Sequence, residues 1–99
     1  MAAYVISQLT PRDPEALANY RINAEESIRQ YGGRYLVRGA RPELLEGEGE
    51  PQTLVVVEFP TSDQARIWYR SAEYAKALEY RDKALSRTLI LAEGVPGNP

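Results

Sequence analysis

Apolar positions along this chain follow two spacings. In Tyr4-Val5-Ile6-Ser7-Gln8-Leu9, in Arg34 to about Ala40, and in Thr53-Leu54-Val55-Val56-Val57-Glu58-Phe59, β-branched and aromatic residues are dense, and the runs stop at Thr10-Pro11, Pro42 and Pro60. That pattern predicts strands, and Thr88-Leu89-Ile90-Leu91-Ala92-Glu93 predicts a fourth. Between the first two runs, Leu17, Tyr20, Ala24, Ile28 and Tyr31 recur at steps of three and four, with Arg21, Glu25, Glu26 and Arg29 off that face, which predicts an amphipathic helix. Asp13-Pro14-Glu15 supplies its start, as N-cap, first-turn proline and first-turn acid. Gly32 supplies its stop. Glu25 and Arg29 stand four apart in the order that favours a helical ion pair.

After Pro60, Thr61-Ser62-Asp63-Gln64 fits a capping box ahead of Ala65, Trp68 and Tyr69. Ser71-Ala72-Glu73-Tyr74 reads as a second cap. The helix is therefore expected to bend near Ser71 and restart with Tyr74, Ala77, Leu78 and Arg81 on one face. Residues 41–51, with Gly47, Gly49 and four glutamates, read as an exposed connection, and 94–99 as a flexible tail. The order β-α-β-β-α-β predicts a single α+β domain over 1–99: a ferredoxin-like, four-stranded antiparallel sheet with the first and third strands central and helices on one face.

The other sheet face changes this picture. An exposed antiparallel face alternates apolar with polar, but Val55-Val56-Val57 and Leu89-Ile90-Leu91 put apolar groups on both sides. The expectation is a homodimer with its two sheets packed face to face.

Composition restricts the chemistry. Of 12 basic residues ten are Arg, the net charge is −2, and there is no Cys and no His. No disulfide, thiolate, histidine base or histidine-ligated metal is available, and a haem site is disfavoured. The balance of charge gives no reason to expect nucleic acid or an anionic membrane as partner. No apolar run is long enough to span a bilayer and no signal-peptide pattern opens the chain, so the expected location is the cytoplasm. Ser7 and Thr88 have no histidine to activate them. Gly32-Gly33 follows a helix and precedes a strand, the reverse of a phosphate loop. The acidic run Glu43, Glu46, Glu48 and Glu50 lacks calcium-loop spacing and reads as solvated.

Ala3-Tyr4-Val5-Ile6, Asp13-Pro14-Glu15, Tyr31-Gly32-Gly33-Arg34-Tyr35-Leu36-Val37-Arg38-Gly39, Glu58-Phe59-Pro60, Ala65-Arg66-Ile67-Trp68-Tyr69 and Ser71-Ala72-Glu73-Tyr74 together resemble the domain of unknown function 1330 family. The Gly-Gly-Arg-Tyr block is the most specific part. That resemblance implies membership of the dimeric α/β barrel superfamily, with a ferredoxin-like protomer dimerising by sheet packing. The superfamily holds cofactor-independent monooxygenases, haem-binding enzymes, isomerases and proteins without a known reaction. Ala40 stands where members often carry a second glycine.

Two groups of residues can carry chemistry. Arg38 and Glu58 are charges in strands that otherwise look interior. In an unbroken register Arg34, Leu36 and Arg38 would share the face of Leu54, Val56 and Glu58, with Tyr35 and Val37 on the face of Val55, Val57 and Phe59. Arg38 could hold a carboxylate ligand, or the charges could form a structural pair. Tyr20, Tyr35, Trp68, Tyr69 and Tyr74 are the aromatic candidates, either as walls of a ligand cavity with Arg38 as polar anchor or as core packing. Arg87, placed at the last helix-to-strand turn, is expected to satisfy helix C-terminal carbonyls. No catalytic or metal-ligating set is assigned. Two functions fit: a small dimeric protein that binds or transforms an organic acid or aromatic compound without a cofactor, monooxygenase-like by superfamily analogy, or a non-catalytic dimeric binding or assembly module.

Overall fold

Nine residues, Ala3–Pro11, form the first strand, β1, and their burial alternates along its inner part. Ala3, Val5, Ser7 and Leu9 turn inward, while Tyr4, Ile6 and Gln8 turn to the other face. The computed structural model, which describes residues 1–96, continues with α1 (Pro14–Gln30), β2 (Arg34–Ala40), β3 (Thr53–Phe59), α2 (Ser62–Tyr69), α3 (Ala72–Ala84) and β4 (Leu85–Glu93). The strands form one antiparallel sheet in the order β2-β3-β1-β4, so β1 and β3 are central. The helices lie on one face, giving the ferredoxin-like α+β fold expected from the pattern. The body is a slab of 39 × 39 × 15 Å, as thin as one helix layer on one sheet.

Local chemistry sets the helix ends. The Asp13 carboxylate accepts the Ala16 N–H at 2.8 Å, Thr61 Oγ1 accepts from Gln64 at 3.0 Å and Ser71 Oγ accepts from Tyr74 at 3.0 Å. Each satisfies an orphan donor of a first turn. The capping box at Thr61 is half made, because the Gln64 side chain donates instead to the Tyr31 carbonyl at 3.0 Å. At the end of α1 the Gly33 N–H reaches the Ile28 carbonyl at 2.9 Å across Gly32, whose φ of +82° suits glycine. Gly33 has a different reason. A Cβ there would come within 2.8 Å of both Ile28 and the Phe59 ring, two buried core side chains.

The structure corrects four expectations. Arg34 faces Glu58 and Tyr35 faces Val57, but then β2 bulges at Leu36 and again at Gly39, which has a φ of +74°. Val37 therefore pairs with Val56 on the outer face and Arg38 with Val55 on the inner one. The positive φ belongs to Gly39, and Ala40 pairs regularly with Leu54. The ion pair expected within α1 is also not made. Arg29 bonds Glu26, and Glu25 reaches across to Arg38. Finally, β4 begins at Leu85 rather than Thr88, directly after α3, because buried Leu85 pairs with Pro11. Arg87 thus sits inside a strand and does not bond helix C-terminal carbonyls.

The core lies between the helices and the inner rows, with Val5, Leu9, Leu17, Ile28, Val57 and Phe59 among its members. Ser7 is the polar exception in the β1 row. It is 4% exposed, and its Oγ has no hydrogen-bond partner among the described residues. Leaving such a group unsatisfied costs about 1–3 kcal/mol. On the outer face Ile6, Val37, Leu54, Val56 and Ile90 carry no layer over them among the described residues, and Ile90 is 50% exposed. Of the expected tail, Gly94 donates its N–H to the Ala2 carbonyl at 2.8 Å, and 97–99 lie outside the described residues. Among the described residues no helix is long and apolar enough to cross a membrane.

Candidate functional site

Arg87 stands on the inner row of β4 beside Leu9 of β1. Its guanidinium donates to Tyr20 Oη of α1 at 2.5 Å and to Tyr74 Oη of α3 at 2.6 Å, and the two phenol oxygens are themselves 2.6 Å apart. Three elements thus close a triangle of polar atoms inside an otherwise apolar layer. Among the described residues no carboxylate lies within ion-pair distance of Arg87.

Counting protons shows what the triangle lacks. Arg87 donates once to each phenol, and one phenol donates to the other, which leaves one O–H without an acceptor among the described residues. Either phenol can donate in the bond between them, and the arrangement that leaves no hydrogen stranded at fully buried Tyr74 has Tyr74 as the donor. In that arrangement the spare O–H is that of Tyr20, which lines a cleft of about 400 Å³ between α1 and the sheet. Leu9, Leu17, Val55 and Leu85 form its apolar surfaces, and Tyr35 stands opposite, with Arg21 and Arg38 also on the lining.

The electrostatics follow from burial. Desolvation, and after it the neighbouring Tyr20, pushes the Tyr74 phenol far above its ordinary value of 10.0 despite Arg87. Burial opposes the charge on Arg87, but the two phenols outweigh it and its pKa is raised. Burial likewise raises Tyr35, with the Arg38 charge working against it. A phenol raised in the folded state contributes stability that is complete below the unfolded value and lost as pH climbs towards the folded one. Urea unfolding followed against pH should therefore show stability falling above about pH 10, and Tyr74→Phe should flatten that decline. An unchanged decline in the variant would assign the effect to other tyrosines.

Arg38 finds its partner in Glu25, at 2.5 Å, and its guanidinium lies 4.5 Å from the centre of the Tyr35 ring. That hydrogen bond raises the Arg38 pKa. Both partners are about half exposed, so the pair adds at most about 1 kcal/mol.

Of the residues singled out from the sequence, the fold brings Tyr20, Tyr35 and Arg38 to this one cleft. The others lie elsewhere. Tyr69 borders a second cleft of about 480 Å³ with Arg12, Arg81 and Arg87, and a third of about 350 Å³ with Trp68. Trp68 is core. It lies 4.2 Å from Tyr74 and 5.3 Å from Phe59, ring centre to ring centre, and donates to Ser27 Oγ at 3.0 Å. A single cavity walled by Tyr35, Trp68, Tyr69 and Tyr74 is thus not formed, because Trp68 and Tyr74 fill the space between helices and sheet. Glu58 is on the outer face, bonded at 2.7 Å to Arg34 rather than to Arg38. Sequence reasoning missed Arg87. The signal was the alternation Leu85, Arg87, Leu89, Leu91, which is visible only when the strand is started at Leu85.

Among the described residues no group of three or more acidic side chains is placed to hold a metal ion. A family model described as a domain of unknown function (DUF1330) matches residues 2–95. No curated protein matches the chain. Among solved structures it is similar to RPA0582, a protein of unknown function from Rhodopseudomonas palustris, at 19% identity and a TM-score of 0.76, over 95% of this chain and 82% of that one. It is similar to SnoaB, a cofactor-independent oxygenase from Streptomyces nogalater, at 10% identity and a TM-score of 0.67, over 98% of each chain. A dimeric ferredoxin-like protein of unknown function from Bacteroides fragilis matches at 16% identity and a TM-score of 0.53, over 94% and 96%. At these identities the likeness establishes the fold.

Proposed function

From a chain that belongs to the DUF1330 domain family, we propose a small homodimeric protein that binds an aromatic organic acid in the cleft between α1 and the sheet. One observation carries the reading: on the wall of a largely apolar cleft stands the Tyr20 hydroxyl, without an acceptor among the described residues and backed by the Arg87 guanidinium, which has no carboxylate partner among them and borders the second cleft. An anionic ligand oxygen answers both, accepting the phenol hydrogen and meeting the cation behind it. Leu17, Val55 and the Tyr35 ring suit a flat apolar body, while Arg21 and Arg38 favour an acid on approach.

Whether the ligand is also transformed rests on analogy. The description of SnoaB as a cofactor-independent oxygenase supports a reaction run on phenols, arginine and substrate alone, which is the chemistry open to a chain with no His or Cys. The dimer rests on the uncovered row Ile6, Val37, Leu54, Val56 and Ile90, and the dimeric ferredoxin-like protein from Bacteroides fragilis supports it.

The test is calorimetric titration of 2-naphthoic acid into the wild-type chain and into Arg87→Met. The wild type should bind, and loss of the charge-assisted contact should weaken binding by about 10- to 100-fold. Equal affinity in the two proteins, or no binding by the wild type, would remove the cleft from consideration.

A further inference from the structure

We propose that the second cleft, bordered by Arg12, Arg81 and Arg87, binds the phosphate group of a phosphate monoester carried on an apolar ring. The inference goes beyond the acid-binding reading and does not depend on it, since this is a different cleft, of about 480 Å³. Three parts of the chain bring the guanidiniums together: Arg12 follows β1, Arg81 lies in α3 and Arg87 in β4. The Arg12 backbone N–H donates to the Ala84 carbonyl at 2.8 Å, which holds the end of β1 against the end of α3. Its side chain reaches the Asp82 carbonyl at 3.4 Å.

The charges gathered here are poorly neutralised. Among the described residues neither Arg12 nor Arg87 has a carboxylate within ion-pair distance. Arg81 meets Asp82 at 3.3 Å, but that carboxylate is 94% exposed and adds little. Asp82 is also the one acid on the lining, against three arginines. Arg87 gives one N–H to Tyr20 and one to Tyr74, and the rest of its five have no partner among the described residues. Like charges set around one cleft repel each other, a cost to the free protein that a bound dianion reverses. A guanidinium fork matches two oxygens of a phosphate, and a phosphate monoester carries roughly two negative charges at neutral pH.

The remaining lining suits a ring. Leu85, Leu89 and the partly exposed Tyr69 ring form its apolar part. Tyr69 and Leu89 also border the third cleft, between α2 and β4, which continues the apolar surface to Trp68 and Leu91. Inorganic phosphate would leave these side chains untouched, whereas the body of a monoester covers them.

The test is calorimetric titration of phenyl phosphate into the wild type, Arg12→Gln and Arg81→Gln. Two comparators go with it: benzenesulfonate, with a single charge on nearly the same body, and inorganic phosphate, with the charge but no body. Phenyl phosphate should bind the wild type about tenfold more tightly than either comparator, and each substitution should weaken it about tenfold. Arg12 is exposed and Arg81 partly so, and the melting temperatures should stay near that of the wild type. Should one variant prove unstable, the other still decides. No binding, an affinity equal to that of benzenesulfonate, or an affinity that survives substitution would overturn the site. Equal affinity for inorganic phosphate would overturn the monoester and make free phosphate the occupant.

Discussion

Replacing Trp68 with alanine is expected to lower the unfolding free energy by about 3–5 kcal/mol, the range for truncating a large buried aromatic. The indole is 3% exposed and is clamped on two sides, by Phe59 from β3 and Tyr74 from α3. Its N–H also holds Ser27 Oγ of α1, so one side chain ties α2 to the sheet and to both other helices. Small domains have about 5–15 kcal/mol of stability in all, so this loss would leave the variant marginal at 37 °C. Trp68→Phe separates the contributions. It keeps most of the ring contact and loses the Ser27 bond and some volume, for an expected cost of about 1–3 kcal/mol. Urea unfolding followed by far-ultraviolet circular dichroism would measure both. A cost below about 1 kcal/mol for Trp68→Ala would show that the interior collapses around the gap, and that Trp68 is not the keystone its contacts make it.

The second large effect concerns the uncovered sheet face. Val56 lies near its middle, paired with Ile6 and Val37. In a free protomer an aspartate there points into water and costs about 1 kcal/mol in strand propensity. In the proposed face-to-face dimer the same carboxylate is buried against apolar groups with its copy close by, at a cost of several kcal/mol. Val56→Asp should therefore raise the dimer dissociation constant by roughly a thousandfold or more while the protomer stays folded. Sedimentation equilibrium on wild type and variant reads this directly. A wild-type chain that runs as a monomer at micromolar concentration, or a variant that remains dimeric, would contradict sheet packing. Arg34 and Glu58 stand on this same face, and Glu58 is only 21% exposed even in the protomer. Glu58 therefore belongs to the uncovered sheet face and not to the cleft.

Where residues act on their chain neighbours, the sequence was legible. Asp13, Thr61 and Ser71 cap the helices they were expected to cap, since a cap needs only a short side chain and a donor two or three residues on. Gly32 stops α1 for an equally local reason. The first and third strands became the two central ones, as the element order implied. Ser71 broke the second helix as its pattern implied. The candidate site was less legible. Of the candidates, Tyr20, Tyr35 and Arg38 line one cleft, but Trp68 and Tyr74 are packed in the core, because whether an aromatic walls a cavity or plugs it depends on what stands opposite. Arg38 illustrates the limit. One extra residue in β2, at Leu36, reversed the face on which it projects, and leucine at that position does not announce a bulge.

By itself, then, the sequence determined the element order, the helix ends, the apolar character of both sheet faces and the classes of chemistry excluded by the lack of His and Cys. These follow from spacing and residue type alone. Only the tertiary structure decided the register of β2 on β3, the start of β4 at Leu85, the partners of Arg34 and Arg38, and the meeting of Arg87 with Tyr20 and Tyr74. Each of these joins residues from separate elements, and Arg87 stands 67 positions from Tyr20. Such contacts are settled by how whole faces pack, and a side chain's polar partner is known only once the opposite face is in place.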